Sequence, residues 1–176
     1  MESQKNDQYT LFKTQWGWFG LLGNEQGLIR IYLPVAHKKP IQSRILSDFP
    51  NAERRVARSS SAWPCKIQKA IENYYKGQPV DFSDITVHLD GFSEFQRTVL
   101  TALRTITYGN TVSYTQLAKL ANSPRAARAI GTVMAQNPLP LIIPCHRVIK
   151  ADGTPGLFSA AGGTNTKARM LELEKL

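Results

Sequence analysis

The alternation of apolar and polar positions changes character near residue 90. Ahead of that point, apolar and aromatic stretches run from Tyr9 to Phe12, Trp16 to Leu22 and Leu28 to Leu33, with Gly23-Asn24 and Glu25-Gln26-Gly27 between the last two. Short apolar runs parted by turn residues predict strands, and the last two predict a β-hairpin. Residues Lys38 to Ser61 are charged and serine-rich with little periodicity, which reads as a loop. Trp63-Pro64 then introduces a helix from about Cys65 to Lys76, with Ile67, Ala70, Ile71 and Tyr74 on one face and Gly77 ending it. Val80 to Leu89 reads as a further strand.

Beyond residue 90 the pattern turns helical, and the helix starts are legible. Ser93 with Gln96 and Ser113 with Gln116 have the spacing of capping boxes, in which a hydroxyl and an amide satisfy backbone donors at a helix N-terminus. Ser123-Pro124 offers an N-cap followed by proline at the first helical position. Helices are therefore expected near 94–106, 114–121 and 124–136. The last two are separated by a turn of about three residues, Asn122 to Pro124, a spacing that suits a helix-turn-helix. On the last of them Ile130, Val133 and Met134 share the core face, and Arg125, Arg128, Ala129, Thr132 and Gln136 the other. Small side chains let a helix approach a nucleic acid closely and leave Arg128 as the long probe, although a merely solvated basic face has the same pattern. The fold class is α+β: a strand-rich N-terminal domain over residues 1–90, then a mainly helical domain over 91–176 that contains the helix-turn-helix.

Charge strengthens the nucleic-acid reading. The chain has 22 Lys and Arg against 13 Asp and Glu, a net +9. Residues 1–90 contribute 12 − 9 = +3 and residues 91–176 contribute 10 − 4 = +6, so the second half is the expected polyanion binder. Two cysteines, no charged and apolar signal segment at the start and no long apolar run point to a reducing, soluble compartment. That compartment is the cytoplasm, or the nucleus in a eukaryote, with no membrane partner. Cys65, Cys145 and the scattered His37, His88 and His146 lack zinc-ligand spacing, so neither metal nor cofactor is expected.

The candidate chemistry centres on Pro144-Cys145-His146-Arg147-Val148, which closes the apolar run Leu141-Ile142-Ile143, read as a short buried strand. Cysteine is nucleophilic as thiolate, and adjacent positive charge or an imidazole raises the thiolate fraction. His146 and Arg147 supply both, with His146 reaching Cys145 through a turn or a bridging water. A small buried hydrophobe is the bland alternative for this cysteine.

Taken together, Phe95-Gln96, Thr107-Tyr108-Gly109, Val112-Ser113-Tyr114, Arg125-Ala126-Ala127-Arg128-Ala129-Ile130-Gly131, Asn137-Pro138, Pro144 to Ile149, Gly153 and Gly162-Gly163 resemble the methylated-DNA–protein-cysteine methyltransferase family over roughly residues 92–176. The resemblance implies irreversible, stoichiometric transfer of an alkyl group from 6-O-alkylguanine in double-stranded DNA to Cys145, after base flipping, by a monomer. The target oxygen lies within the base pair, so flipping is also a physical necessity. Carried over, Cys145 is the acceptor, His146 the base acting through water and Glu174 the residue that orients it. Tyr114 helps rotate the nucleotide and protonates the purine. Arg128 fills the vacated stack, and Arg125, Ala126, Ala127, Ala129, Gly131 and Thr132 meet the DNA. Asn137 ties the recognition helix to the active-site loop. Ser159 and the backbone near Val148 bond the guanine, Pro140 and Phe158 line the pocket, and Lys167 lies near it. The run Phe158 to Gly163 is longer than the family's usual aromatic-Ser-Gly-Gly loop, which leaves Glu172 as the neighbouring alternative to Glu174. The strongest rival from another class is a lesion sensor that flips the base without repairing it.

Overall fold

The computed structural model describes residues 6–55 and 63–175. The chain divides into two compact units, one holding residues up to 80 and 84–88, the other residues 81–83 and those from 89 onward.

The first unit is built on strands β1 (Gln8–Thr14), β2 (Gly17–Asn24), β3 (Gly27–Val35) and β4 (Glu53–Arg54) in the order β3-β2-β1-β4. β1, β2 and β3 pair antiparallel, and β4 adds in parallel to β1. The expected hairpin is β2–β3; Asn24 accepts a 2.9 Å bond from the Gln26 amide in its turn. Side chains alternate between the faces of a strand. Tyr9 and Leu22 accordingly pack with Ile41 and Ile45 of helix α1 (Lys38–Asp48), whereas Phe12 and Phe19 join Tyr75 and Tyr74 of helix α2 (Trp63–Tyr75). Both faces of β2 are thus covered, which explains its unbroken burial from Phe19 to Asn24.

Two expectations for this part of the chain were wrong. The Lys38–Ser61 stretch is not a loop: it contains α1 and β4, while its residues 56–61 lie outside the described residues. Only Ile41 and Ile45 are buried on α1, one turn apart, so the periodic signal was too sparse to stand out. Packing supplies what propensity does not, and a Cβ on Gly20 of β2 would lie 2.7 Å from Ile41, so glycine there is what lets α1 sit close. The expected strand Val80–Leu89 is a series of turns with one isolated bridge, Leu28 to Val87. Asp81 takes the Ser83 amide at 2.8 Å and the Ser83 hydroxyl at 3.0 Å, and this aspartate turn bends the chain out of an extended course.

The second unit contains helices α3 (Glu94–Arg104), α4 (Tyr114–Leu120), α5 (Ala127–Gln136) and α6 (Gly163–Leu173). Both capping boxes form in full, at Ser93/Gln96 and Ser113/Gln116. The third expected cap does not. Asn122 takes a left-handed φ of 54° after α4, Pro124-Arg125 form a turn closed by Ala126 N–H on the Ser123 carbonyl at 2.9 Å, and α5 starts at Ala127 without a side-chain cap. Proline occupies the turn position that its fixed φ suits rather than the first helical one. The helix-turn-helix thus has a longer connection than expected. α6 likewise starts on Gly162, left-handed and without a side-chain cap. Val112, Ile130, Val133, Leu100, Leu103 and Met170 are among the buried side chains of this unit.

Strand β5 (Val112–Ser113) pairs in parallel with β6 (Val148–Ile149). This two-residue clamp fixes the first residue of α4, Tyr114, beside the segment that carries Cys145. Leu141, Ile142 and Ile143 are buried as expected but form a turn rather than a strand, with Leu141 at φ 82° and Pro140 bridged to Ile143. Among the described residues no helix is long and apolar enough to cross a membrane.

Candidate active site

Cys145, His146 and Arg147 form one turn of 3₁₀ helix between the Leu141–Pro144 turn and β6. The turn has a consequence. It directs His146 and Arg147 together into the second unit's interior, where both are buried against Glu174, the C-cap residue of α6. His146 Nε2 lies 2.8 Å from Glu174 Oε1; Arg147 Nε and one terminal nitrogen bond the two carboxylate oxygens at 2.9 and 3.0 Å. Arg147 also donates to the Ile106 carbonyl, and Gly109 N–H donates to Glu174 at 3.2 Å. Tyr108 holds the end of α6 through a 2.8 Å bond to the Leu173 carbonyl. Glu172, by contrast, is exposed and pairs with Lys175 at 2.6 Å.

These contacts set the protonation states. Burial alone would raise the Glu174 carboxyl, but hydrogen bonds from His146 and Arg147 outweigh it and hold the pKa down at about 2. Burial pushes His146 down, against the pull of Glu174, so the imidazole is neutral at pH 7. The charge facing the carboxylate is then Arg147's. An ionised carboxylate only accepts, which puts the imidazole proton on Nε2 and leaves Nδ1 as the basic nitrogen.

Cys145 is 4% exposed. Burial raises its thiol pKa, partly countered by a hydrogen bond with Asn137 and by the positive charge of Lys167. The sequence reading gave Arg147 the task of favouring thiolate; instead Arg147 is spent on Glu174, and the resting state is a thiol. Asn137, which follows α5, donates to the Ile143 carbonyl at 2.8 Å and accepts from Leu139 N–H at 3.0 Å. It fastens the end of α5 to the loop that presents the thiol. Lys167 is buried on α6 with Nζ bonded to the Val148 carbonyl at 2.5 Å and 3.5 Å from that of Cys145. Val148 N–H bonds the Cys145 carbonyl, and the Val148 carbonyl that accepts from Lys167 keeps a second lone pair.

Tyr114 is half-buried, its hydroxyl pKa raised by burial and then by the nearness of Cys145. Its ring rests on Gly156, where a Cβ would come within 2.3 Å of the hydroxyl oxygen and 3.1 Å of the ring. Gly156→Ala is therefore expected to displace Tyr114 and to lower stability by about 1–3 kcal/mol, as for an overpacked core, which its thermal midpoint measures. Phe158 is half-buried and Ser159 exposed on the segment leading to α6, and Pro140 is buried. On α5, Arg128, Ala129 and Thr132 are exposed and Ala127 and Gly131 half-buried; in the turn before it Arg125 is exposed and Ala126 half-buried. Sequence reasoning gave no structural role to Tyr108, Gly109 and Ile106, whose contacts are set by distant chain folding.

A helix-turn-helix whose second helix is tied, through one asparagine, to a buried cysteine beside a histidine–glutamate pair joins a nucleic-acid-binding type of motif to a cysteine site. Comparison with known proteins makes the class specific. The family described as "6-O-methylguanine DNA methyltransferase, DNA binding domain" matches residues 94–176. A methylated-DNA–protein-cysteine methyltransferase of Mycolicibacterium paratuberculosis is 38% identical over 149 residues, 81% of this chain and 86% of that protein. One of Haemophilus influenzae is 40% identical over 111 residues, 63% of this chain but only 60% of its own length. The crystal structure of Mycobacterium tuberculosis OGT in complex with DNA superposes with a TM-score of 0.73 at 29% identity, covering 95% of this chain and 92% of that one. The chain belongs to the methylated-DNA–protein-cysteine methyltransferase family.

Proposed function

We propose that this protein repairs double-stranded DNA by moving an alkyl group from the 6-oxygen of guanine to Cys145. The observation that carries the reading is a buried thiol next to a neutral histidine bonded to an ionised glutamate, set behind a helix whose outer face is small and basic. DNA is the partner, in keeping with the family description and with the DNA-bound relative.

The modified base rotates out of the duplex to reach the sulfur. His146 takes the thiol proton on Nδ1 through a water, and Glu174 balances the imidazolium charge that results. The sulfur attacks the alkyl carbon; a carbon–sulfur bond forms as the carbon–oxygen bond breaks, and the electron pair leaves with the guanine. Tyr114 gives the leaving purine its proton. Asn137 and Lys167 lower the energy of the thiolate while it exists. Burial opposes charge separation at rest, so proton transfer is coupled to occupation of the site. Intact-mass and peptide analysis after incubation with duplex containing 6-O-methylguanine tests this. The expected result is one methyl on Cys145; bound but unmodified protein would instead identify a lesion sensor.

Arg128 occupies the exposed face of α5 as the residue to fill the vacated stack. Arg128→Ala is expected to reduce flipping more than binding, since unstacking costs on the order of a few kcal/mol whereas one phosphate contact is smaller. A fluorescent base analogue at the lesion reports it. Equal loss on damaged and undamaged duplex would make Arg128 a phosphate contact only.

A further inference from the structure

The capping box of α3 orients a side chain on α5. Ser93 N–H is a backbone group and can only donate; it donates to Gln96 Oε1 at 2.9 Å. That fixes the amide of Gln96, whose Nε2 must then be the donor in the 2.7 Å contact with Gln136. Gln136 in turn must present Oε1 to Gln96, and its own Nε2 is left as a donor. Gln136 is the last residue of α5 and exposed, on the same face as Arg128, Ala129 and Thr132. An unbroken order of donors and acceptors therefore runs from the N-terminus of α3 to the outer face of the basic helix.

From this juxtaposition we infer that Gln136 is a DNA-contact residue whose amide N–H₂ donates to a backbone phosphate oxygen, and that Gln96 is the positioning residue that holds the amide that way round. The inference rests on the reading of α5 as the helix that meets DNA. It adds a neutral phosphate contact beyond the arginines. A neutral donor releases no counterion, so its signature differs from theirs: affinity falls on removal, but the salt dependence does not.

Four variants separate the outcomes. Gln136→Met keeps the length and helix preference but has no donor, and duplex affinity is expected to fall about threefold to tenfold, the range for one hydrogen bond. The loss should be equal on modified and unmodified duplex, with the slope of log affinity against log salt unchanged. Reaction of Cys145 with free 6-O-alkylguanine base, which needs no duplex, should be unchanged. Arg125→Ala serves as the control, expected to lower affinity and to reduce the salt slope by about one. Gln96→Glu retains an acceptor for Ser93 N–H but loses the donor, so Gln136 turns its oxygen outward. It should weaken binding more in the native background than in the Gln136→Met background, where only the added charge remains.

If Gln136→Met binds duplex normally while Arg125→Ala does not, the inference is overturned and the DNA reading of α5 stands. If Gln136→Met slows reaction with the free base as much as with duplex, Gln136 acts through its neighbour Asn137 and the inference is also overturned. If Arg125→Ala and Arg128→Ala leave binding intact, the reading of α5 fails and takes this inference with it.

Discussion

Given an excess of duplex carrying 6-O-methylguanine, the protein is expected to remove one methyl group per molecule and then stop. Taking the alkyl group off the thioether would mean expelling the Cys145 thiolate, a poor leaving group for any nucleophile around it. The polar side chains that act on Cys145 include Asn137, Lys167 and Tyr114, with His146 next in the chain; none of these is a thiol. The other cysteine, Cys65, lies on α2 in the first unit. Product should therefore plateau at one equivalent however long the incubation, and Cys145→Ala should form none while still binding duplex, because the proposed affinity rests on α5 and phosphate contacts rather than on the thiol. A rapid-quench count of repaired guanines against active protein measures the plateau. Product continuing past one equivalent would show a route for removing the alkyl group that this site does not contain, and residual repair by Cys145→Ala would move the nucleophile elsewhere. The alkylated protein should also be less stable by about 1–3 kcal/mol, since the added carbon enters a buried position beside the Asn137 junction.

How much of this was written in the sequence differs from element to element, for physical reasons. The capping boxes at Ser93 and Ser113 were legible because both partners are local, three residues apart. The face of α5 was legible because helical periodicity is local as well. Helix α1 was not, because its two isoleucines, one turn apart, stabilise it by packing on Tyr9, Leu22 and Gly20 of β1 and β2, which no local window includes. Val80–Leu89 failed in the opposite direction: its alternation looks like a strand, but Asp81 and Ser83 capture the backbone and Arg104 takes the Phe82 and Ser83 carbonyls at 3.2 and 2.9 Å. At the site, the Cys-His pair was visible as a motif, and the position of Glu174 came from the resemblance. The destination of Arg147 was invisible, because it depends on Glu174 returning from 27 residues away. With Arg147 turned to Glu174, burial decides the state of the cysteine, a neutral thiol rather than a thiolate favoured by adjacent charge.

Glu174 should accordingly be the most stability-sensitive residue of the site. Its removal leaves Arg147 buried without its carboxylate, and breaking a buried ion pair from one side destabilises by about 3–5 kcal/mol. Glu174→Ala is expected in that range by denaturant unfolding, with slower transfer as His146 loses its orienting partner. Glu174→Gln should keep more of the fold, because an amide still offers an acceptor, yet should still slow transfer by leaving the imidazolium unbalanced. The native protein's acid response carries the same signature. The Glu174 pKa is depressed in the folded state from an ordinary 4.5 to about 2, so its contribution is complete above pH 4.5 and is lost as pH falls through that window. At about 1.4 kcal/mol per pKa unit, the loss is roughly 3 kcal/mol. His146 is depressed too, so stability begins to fall earlier, as pH drops below 6.5 and the unfolded chain binds a proton that the buried imidazole refuses. Unfolding free energies measured from pH 7.5 to pH 3 should therefore decline in two stages, and Glu174→Gln should remove the lower stage. A Glu174→Gln profile parallel to that of the native protein down to pH 3 would show that other carboxylates control acid stability and that the His146–Glu174–Arg147 cluster is not what holds this site together.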